Sequence, residues 1–201
     1  MKKIFFAAAL SLLPVFARAG DAAGFNNHLT AAAGFPHFFT GQYTKRLGSR
    51  TAVGLAFGES FIPETRKPCG AMVSMKGDNI EAVSRYHFNK KSFFGGLNAG
   101  YQDFSIESAQ NTVPGQDYQI KDGVKVFYLT PHIGWFKVYA SGFTIGSELG
   151  VRVPVSTKRY TERSGPGNYN NEIRKVVDDG LDILATKPLP FITLVRMGYS
   201  F

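Results

Sequence analysis

Residues 190–201 read PFITLVRMGYSF. Counting back in twos from Phe201 gives Tyr199, Met197, Val195, Thr193 and Phe191. Between them lie Ser200, Gly198, Arg196, Leu194 and Ile192. The first set is almost wholly apolar and aromatic. The second is mixed and carries a charge near its middle. Alternation with a period of two over about ten residues reads as a β-strand with one greasy face. That is also about the length a tilted strand needs to cross a bilayer. The competing reading is the edge strand of a soluble sandwich. A terminal strand ending on an exposed aromatic fits that poorly, because termini fray in water.

The first residues agree with the last. MKK is a positive n-region, IFFAAALSLLPVFA is a short apolar core, and Ala17-Arg18-Ala19 supplies a small-residue cleavage pattern. Residues 1–19 are therefore expected to be a signal peptide, with cleavage after Ala19 and a mature chain from Gly20. Without Lys2, Lys3 and Arg18 the formal charge falls from +8 to +5. No other apolar run is long enough for a transmembrane helix. An exported chain of this kind stays in the periplasm, leaves the cell, or enters an outer membrane as a barrel, and the terminal strand favours the barrel.

Residues 20–201 suffice for one domain. Glycine (22), phenylalanine (18) and tyrosine (9) are abundant, which suits strands with unlike faces and does not suit a helical bundle. The lone Cys69 excludes an internal disulfide and a cysteine-rich metal cluster, and reads as an unpaired loop thiol. No cofactor is indicated. A basic chain can bind nucleic acid, but export makes that improbable. Anionic lipopolysaccharide or lipid headgroups are the better counterparts.

Alternation recurs along the chain. The segment 24–34 is poor in β-branched residues, with a short helix or irregular plug as the alternative to a strand. FPH at 35–37 reads as a tight turn. The stretch 38–47 sets Phe39, Gly41 and Tyr43 against Thr40, Gln42, Thr44 and Arg46. The stretch 50–61 sets Thr51, Val53, Leu55 and Phe57 against Ala52, Gly54, Ala56 and Gly58, a face so small that something bulky must pack on it. In 79–88, Ile80, Ala82, Ser84, Tyr86 and Phe88 face lipid, with Glu81, Val83, Arg85 and His87 inward. In 93–106 the outer set is Phe93, Gly95, Leu97, Ala99 and Tyr101. In 124–138 it is Phe127, Leu129, Pro131, Ile133 and Trp135, with a bulge or bend expected at Pro131. The clearest alternation is 143–155, where Thr144, Gly146, Glu148, Gly150 and Arg152 face inward.

Short turns at 47–50, 89–92 and 139–142 alternate with long polar loops at 62–78, 107–123 and 156–189. Barrels of outer membranes show this rhythm, with short periplasmic turns and long external loops. Tyr43, Tyr86, Phe88, Phe93, Trp135, Phe136, Phe143, Tyr199 and Phe201 gather at the short-turn end as one interfacial girdle. Seven strands are clear, and an even count requires the eighth at 24–34.

The signal peptide, the alternating strands, the loop rhythm and the ending VRMGYSF resemble the small eight-stranded outer-membrane barrels, the OmpA-transmembrane and OmpX-like group. The resemblance implies an all-β, eight-stranded antiparallel transmembrane barrel, monomeric, in a bacterial outer membrane. It also implies that Phe201, with Tyr199 and Met197 before it, is the signal read by the barrel-assembly machinery. No functional motif comes with it.

Eight strands enclose an interior that side chains just fill. Inward candidates are Gln42, Arg46, Glu81, Arg85, His87, His132, Glu148, Arg152 and Arg196. Glu81, Arg85, Glu148, Arg152 and Arg196 form the expected charge network, since charges in such a core must be paired. Taking Phe143 opposite Phe201 or its immediate predecessors puts Glu148 beside Arg196, with Arg152 close by, and leaves Glu81 and Arg85 as a second pair. The alternatives are a narrow channel or a lipid A-modifying enzyme. Some barrels of this architecture are such enzymes, but His28, His37, His87 and His132 form none of their motifs, so no catalytic residue is assigned. His37 reads as a turn residue near the outer rim. In the last loop, Ile173, Val176, Val177, Leu181 and Leu184 share a helical face. Gly180 weakens that helix, Pro188 ends it, and its simplest role is to cap the barrel mouth.

Overall fold

The computed structural model describes residues 25–66, 72–88, 92–113, 116–164 and 171–201. The expected signal peptide and Cys69 lie outside the described residues, as does most of the turn at 89–92. Strands β1 (Asn27–Phe35), β2 (Phe39–Arg46), β3 (Thr51–Arg66), β4 (Met72–His87), β5 (Phe93–Val113), β6 (Gln116–Val138), β7 (Phe143–Ser164) and β8 (Leu189–Ser200) run antiparallel in sequence order. β1 pairs with β8, closing the barrel. A helix, α1 (Asn171–Thr186), precedes β8. The weak segment at 24–34 is thus a full strand, aligned with β2 and β8 on either side.

Alternation decides which way side chains point. Glu81, Val83, Arg85 and His87 are buried, while Ala82, Ser84, Tyr86 and Phe88 are exposed. Ala52 and Ala56 are buried beneath bulkier neighbours, and a Cβ on Gly58 would meet Asn79 and His37. The outer wall is a continuous apolar belt. At its lower edge stand Tyr43, Tyr86, Phe88, Phe93, Trp135, Phe143 and Phe201, all exposed. Phe136, expected among them, instead points inward and meets the His28 ring edge-on. A second rim, of three aromatics and an isoleucine and absent from the sequence reading, runs along the top: Phe57, Ile80, Tyr101 and Phe127 align on β3 to β6. The eight steps from Phe93 to Tyr101, at ~3.3 Å each and a tilt of ~40°, rise roughly 20 Å.

Three expectations fail for reasons of local geometry. The loops at 62–78 and 107–123 are mostly strand. β3 and β4 stay paired up to Arg66↔Met72, and β5 and β6 up to Val113↔Gln116. Above the belt the outer face meets water and α1 covers the inner face of β5 and β6, so the ladder persists without a lipid-facing apolar set. Pro131 keeps its register, and the bulge falls at Phe127/Tyr128, where Val155 is the extra residue on β7. The terminal strand does not alternate throughout. A bulge at Leu194 and Val195 shifts its pairing with both β7 and β1. One extra residue reverses the faces beyond it. Thr193 and Phe191 therefore turn inward, and Leu194 points out at 74% exposure.

Closure at the lower end rests on Asn27 and Phe201, which exchange backbone hydrogen bonds of 3.0 and 2.9 Å, with Asn27 Nδ2 also donating to the Phe201 carbonyl at 3.2 Å. Deleting Phe201 should slow folding into bilayers and lower the yield of the compact, fast-migrating gel species. An unchanged rate and yield would show that closure does not depend on this pair.

Candidate functional site: the barrel lumen

The interior is polar, and its charges sort into two layers. In the lower layer Glu148, from β7, is shared by two arginines. Arg196 Nη2 donates to its Oε2 at 2.9 Å, and Arg85 Nη2 donates to Oε1. Arg85 also bonds Gln42 Oε1 at 3.0 Å, and Arg196 reaches Thr30 Oγ1 at 3.3 Å. In the upper layer Glu81, from β4, accepts from Arg152 Nη2 at 3.1 Å, Tyr128 Oη at 2.7 Å and Asn98 Nδ2 at 2.9 Å. Arg152 lies over the Tyr128 ring at 3.8 Å and donates to Gln102 Oε1 at 2.7 Å. Both glutamates and all three arginines are almost fully buried.

The five expected network residues thus all face the lumen, and Glu148 meets Arg196, but the other partners differ from the expectation. Arg152 serves Glu81, and Arg85 serves Glu148. Residues four apart on a strand lie ~13 Å apart along it, too far for one carboxylate to hold both. The narrow lumen instead lets each side chain reach across to another wall. Phe143 stands opposite Tyr199, two residues before Phe201, and the bulge then sets Glu148 opposite Thr193 rather than Arg196. Arginine length absorbs that slip. Arg46 is only half-buried.

Aromatic and imidazole rings line the lumen beside and below the lower layer. His87, Phe94, His132 and Phe191 follow one another, tilted or edge-on, at centroid distances of 5.4, 5.9 and 5.9 Å, and His28 Nδ1 meets Ser200 Oγ. Above, α1 lies over the mouth. Its Val177, Leu181 and Ala185 pack against Ile106, Val124, Val126 and Tyr128. Leu184 is partly buried in the same cluster, Ala185 joins the face unforeseen, and the side chains of Ile173 and Val176 lie outside the described ones. Arg159 on β7 ties the exposed side to Asp182 at 2.8 Å.

His37 is the main surprise. It stands in the upper β1–β2 connection, as expected, but its ring is buried, with Nε2 2.6 Å from Arg152 Nη2 and Nδ1 3.2 Å from Ser60 Oγ. A guanidinium can only donate, so Nε2 accepts and the ring proton sits on Nδ1. Ser60 accepts that proton and gives its own to the Pro36 carbonyl at 2.7 Å. A serine beside a histidine is the arrangement a nucleophile needs. Here the bonds run the wrong way, since the basic nitrogen is capped and the serine proton points at a carbonyl. No metal-binding group of His, Cys, Asp or Glu occurs among the described residues.

No protein-family model matches the chain, and no curated protein does. Among solved structures it is similar to Acinetobacter baumannii CarO, with 13% identity, a TM-score of 0.46, and coverage of 88% of this chain and 97% of that one. A second, Acinetobacter baumannii CarO2, has 13% identity, a TM-score of 0.45, and coverage of 88% and 98%.

Because Glu148 answers two cations, Glu148→Gln should destabilise the folded barrel by on the order of 3–5 kcal/mol. Arg196→Gln should cost less, since Arg85 still meets the carboxylate. Urea unfolding from vesicles would measure both, and a double-mutant cycle should show coupling. Zero coupling would remove the pair as a stabilising contact.

Proposed function

We propose that the chain is an outer-membrane β-barrel with a structural role, or one that binds through its external ribbons, and that its lumen does not conduct. The observation that carries this is the combination of an apolar outside with a filled polar inside. Water-exposed apolar belts of this extent are unfavourable on a soluble protein, whereas hydrocarbon requires both the belt and the closed ladder. The two rims, roughly 20 Å apart, match the interfacial girdles of such barrels. The short turns then face the periplasm, and the long ribbons with α1 face outward.

On this reading the protein is a monomer whose partners are the bilayer and its lipopolysaccharide. Phe201, Tyr199 and Met197 serve as the signal to the barrel-assembly machinery. The likeness to the OmpA-transmembrane and OmpX-like barrels rests on the strand count and the terminal strand. The buried charge network serves to fill and rigidify the lumen. The reversed Ser60–His37 pair supports a non-enzymatic role.

The mature chain should fractionate with outer membranes and migrate faster in gels when unheated, because a closed ladder resists detergent at room temperature. Recovery as a soluble periplasmic protein would end this reading.

A further inference from the structure

On the outer wall, polarity switches within one alternation of the strands. Phe57, Ile80, Tyr101 and Phe127 form the last apolar row, and the next outward row is Glu59, Asp78, Asp103, Lys125 and Lys158 on β3 to β7. The acidic part is largely answered within the protein. Asp78 pairs with Lys76 at 3.2 Å, and Asp103 accepts from Tyr160 Oη at 2.9 Å. The basic part is answered only at Lys125, which lies 3.7 Å from Asp103 and 5.4 Å over the Tyr160 ring, while among the described residues no ion pair is formed by the exposed Lys158.

Lys125 and Lys158 stand directly opposite each other on neighbouring strands, an arrangement that like charges disfavour. The β7 bulge creates it. Without Val155 as the extra residue, Lys158 would share the inward parity of Arg152. Tyr160 beside them adds no negative charge, since burial and then its bond to Asp103 push the phenol up. Directly beneath lie exposed Phe127, Val153 and Val155, an apolar track leading down the wall.

We infer that Lys125 and Lys158 form a binding site for a phosphate of a lipid headgroup, with its acyl chains lying along Phe127, Val153 and Val155. An anion between the two ammoniums removes their repulsion, and the apolar track below selects a lipid over free phosphate. The inference rests on the membrane reading above and deepens it by naming the site and the headgroup chemistry.

The test uses the folded full chain in phosphatidylcholine nanodiscs, with bisphosphorylated lipid A or its dephosphorylated form added in trace amount and bound lipid counted by native mass spectrometry. The Lys125→Gln/Lys158→Gln variant should bind the phosphorylated lipid roughly tenfold more weakly, with the dephosphorylated form weak on both proteins. Lys121, opposite Glu162 and 3.8 Å from Glu107, is the control, and Lys121→Gln should bind as the parent does. Wild-type affinity in the double variant would overturn the site. So would an equal loss in Lys121→Gln, or full competition by millimolar inorganic phosphate. Should the double variant fold poorly, Lys158→Gln alone carries the test, with a loss of roughly threefold expected and no loss overturning it. Failure of the parent chain to insert would count against the membrane reading instead.

Discussion

An open sheet edge is the one thing this chain cannot carry. Its outer wall is apolar for the full height of the belt, so an unpaired row of peptide groups would sit among apolar neighbours without partners. Pairing β1 with β8 removes the edge. Closure over eight strands then fixes a narrow interior. From that width follows the chemistry inside. No wall is far from another, so a carboxylate on β4 can hold an arginine from β7, and one on β7 can hold arginines from β4 and β8. The inner charges and the outer belt are two consequences of the same ring.

The period of two made the faces of β4 to β7 legible within the belt, because each strand keeps its parity between rims. It failed wherever a residue was inserted. Nothing in Leu194-Val195 or in Val155 announces a bulge, since both are ordinary strand residues, yet the inward turn of Phe191 and the outward turn of Lys158 depend on them. The membership of the lumen could be read from Glu81, Arg85, Glu148, Arg152 and Arg196, as inward parity needs only local counting. Their pairing could not, because it is set by distances across the barrel that no single strand encodes.

The upper half departs most from the sequence pattern. There the ladder runs on without apolar alternation, so composition suggests loops where strands continue. His37 shows the same limit. Its position beside Pro36 marks the turn in which it does lie, but not that the demand of Arg152 for an acceptor draws the imidazole inside. The helix was legible because its 3.6-residue period is local. Its packing over Val124 and Val126 follows from where β6 rises above the belt.

On the proposed reading, two layers of paired charge, a run of tilted rings and a capping helix leave no continuous water path. Planar-bilayer recording on the folded full chain tests it directly. The account predicts no steady single-channel conductance at moderate voltage. A stable open level that persists across preparations would contradict it.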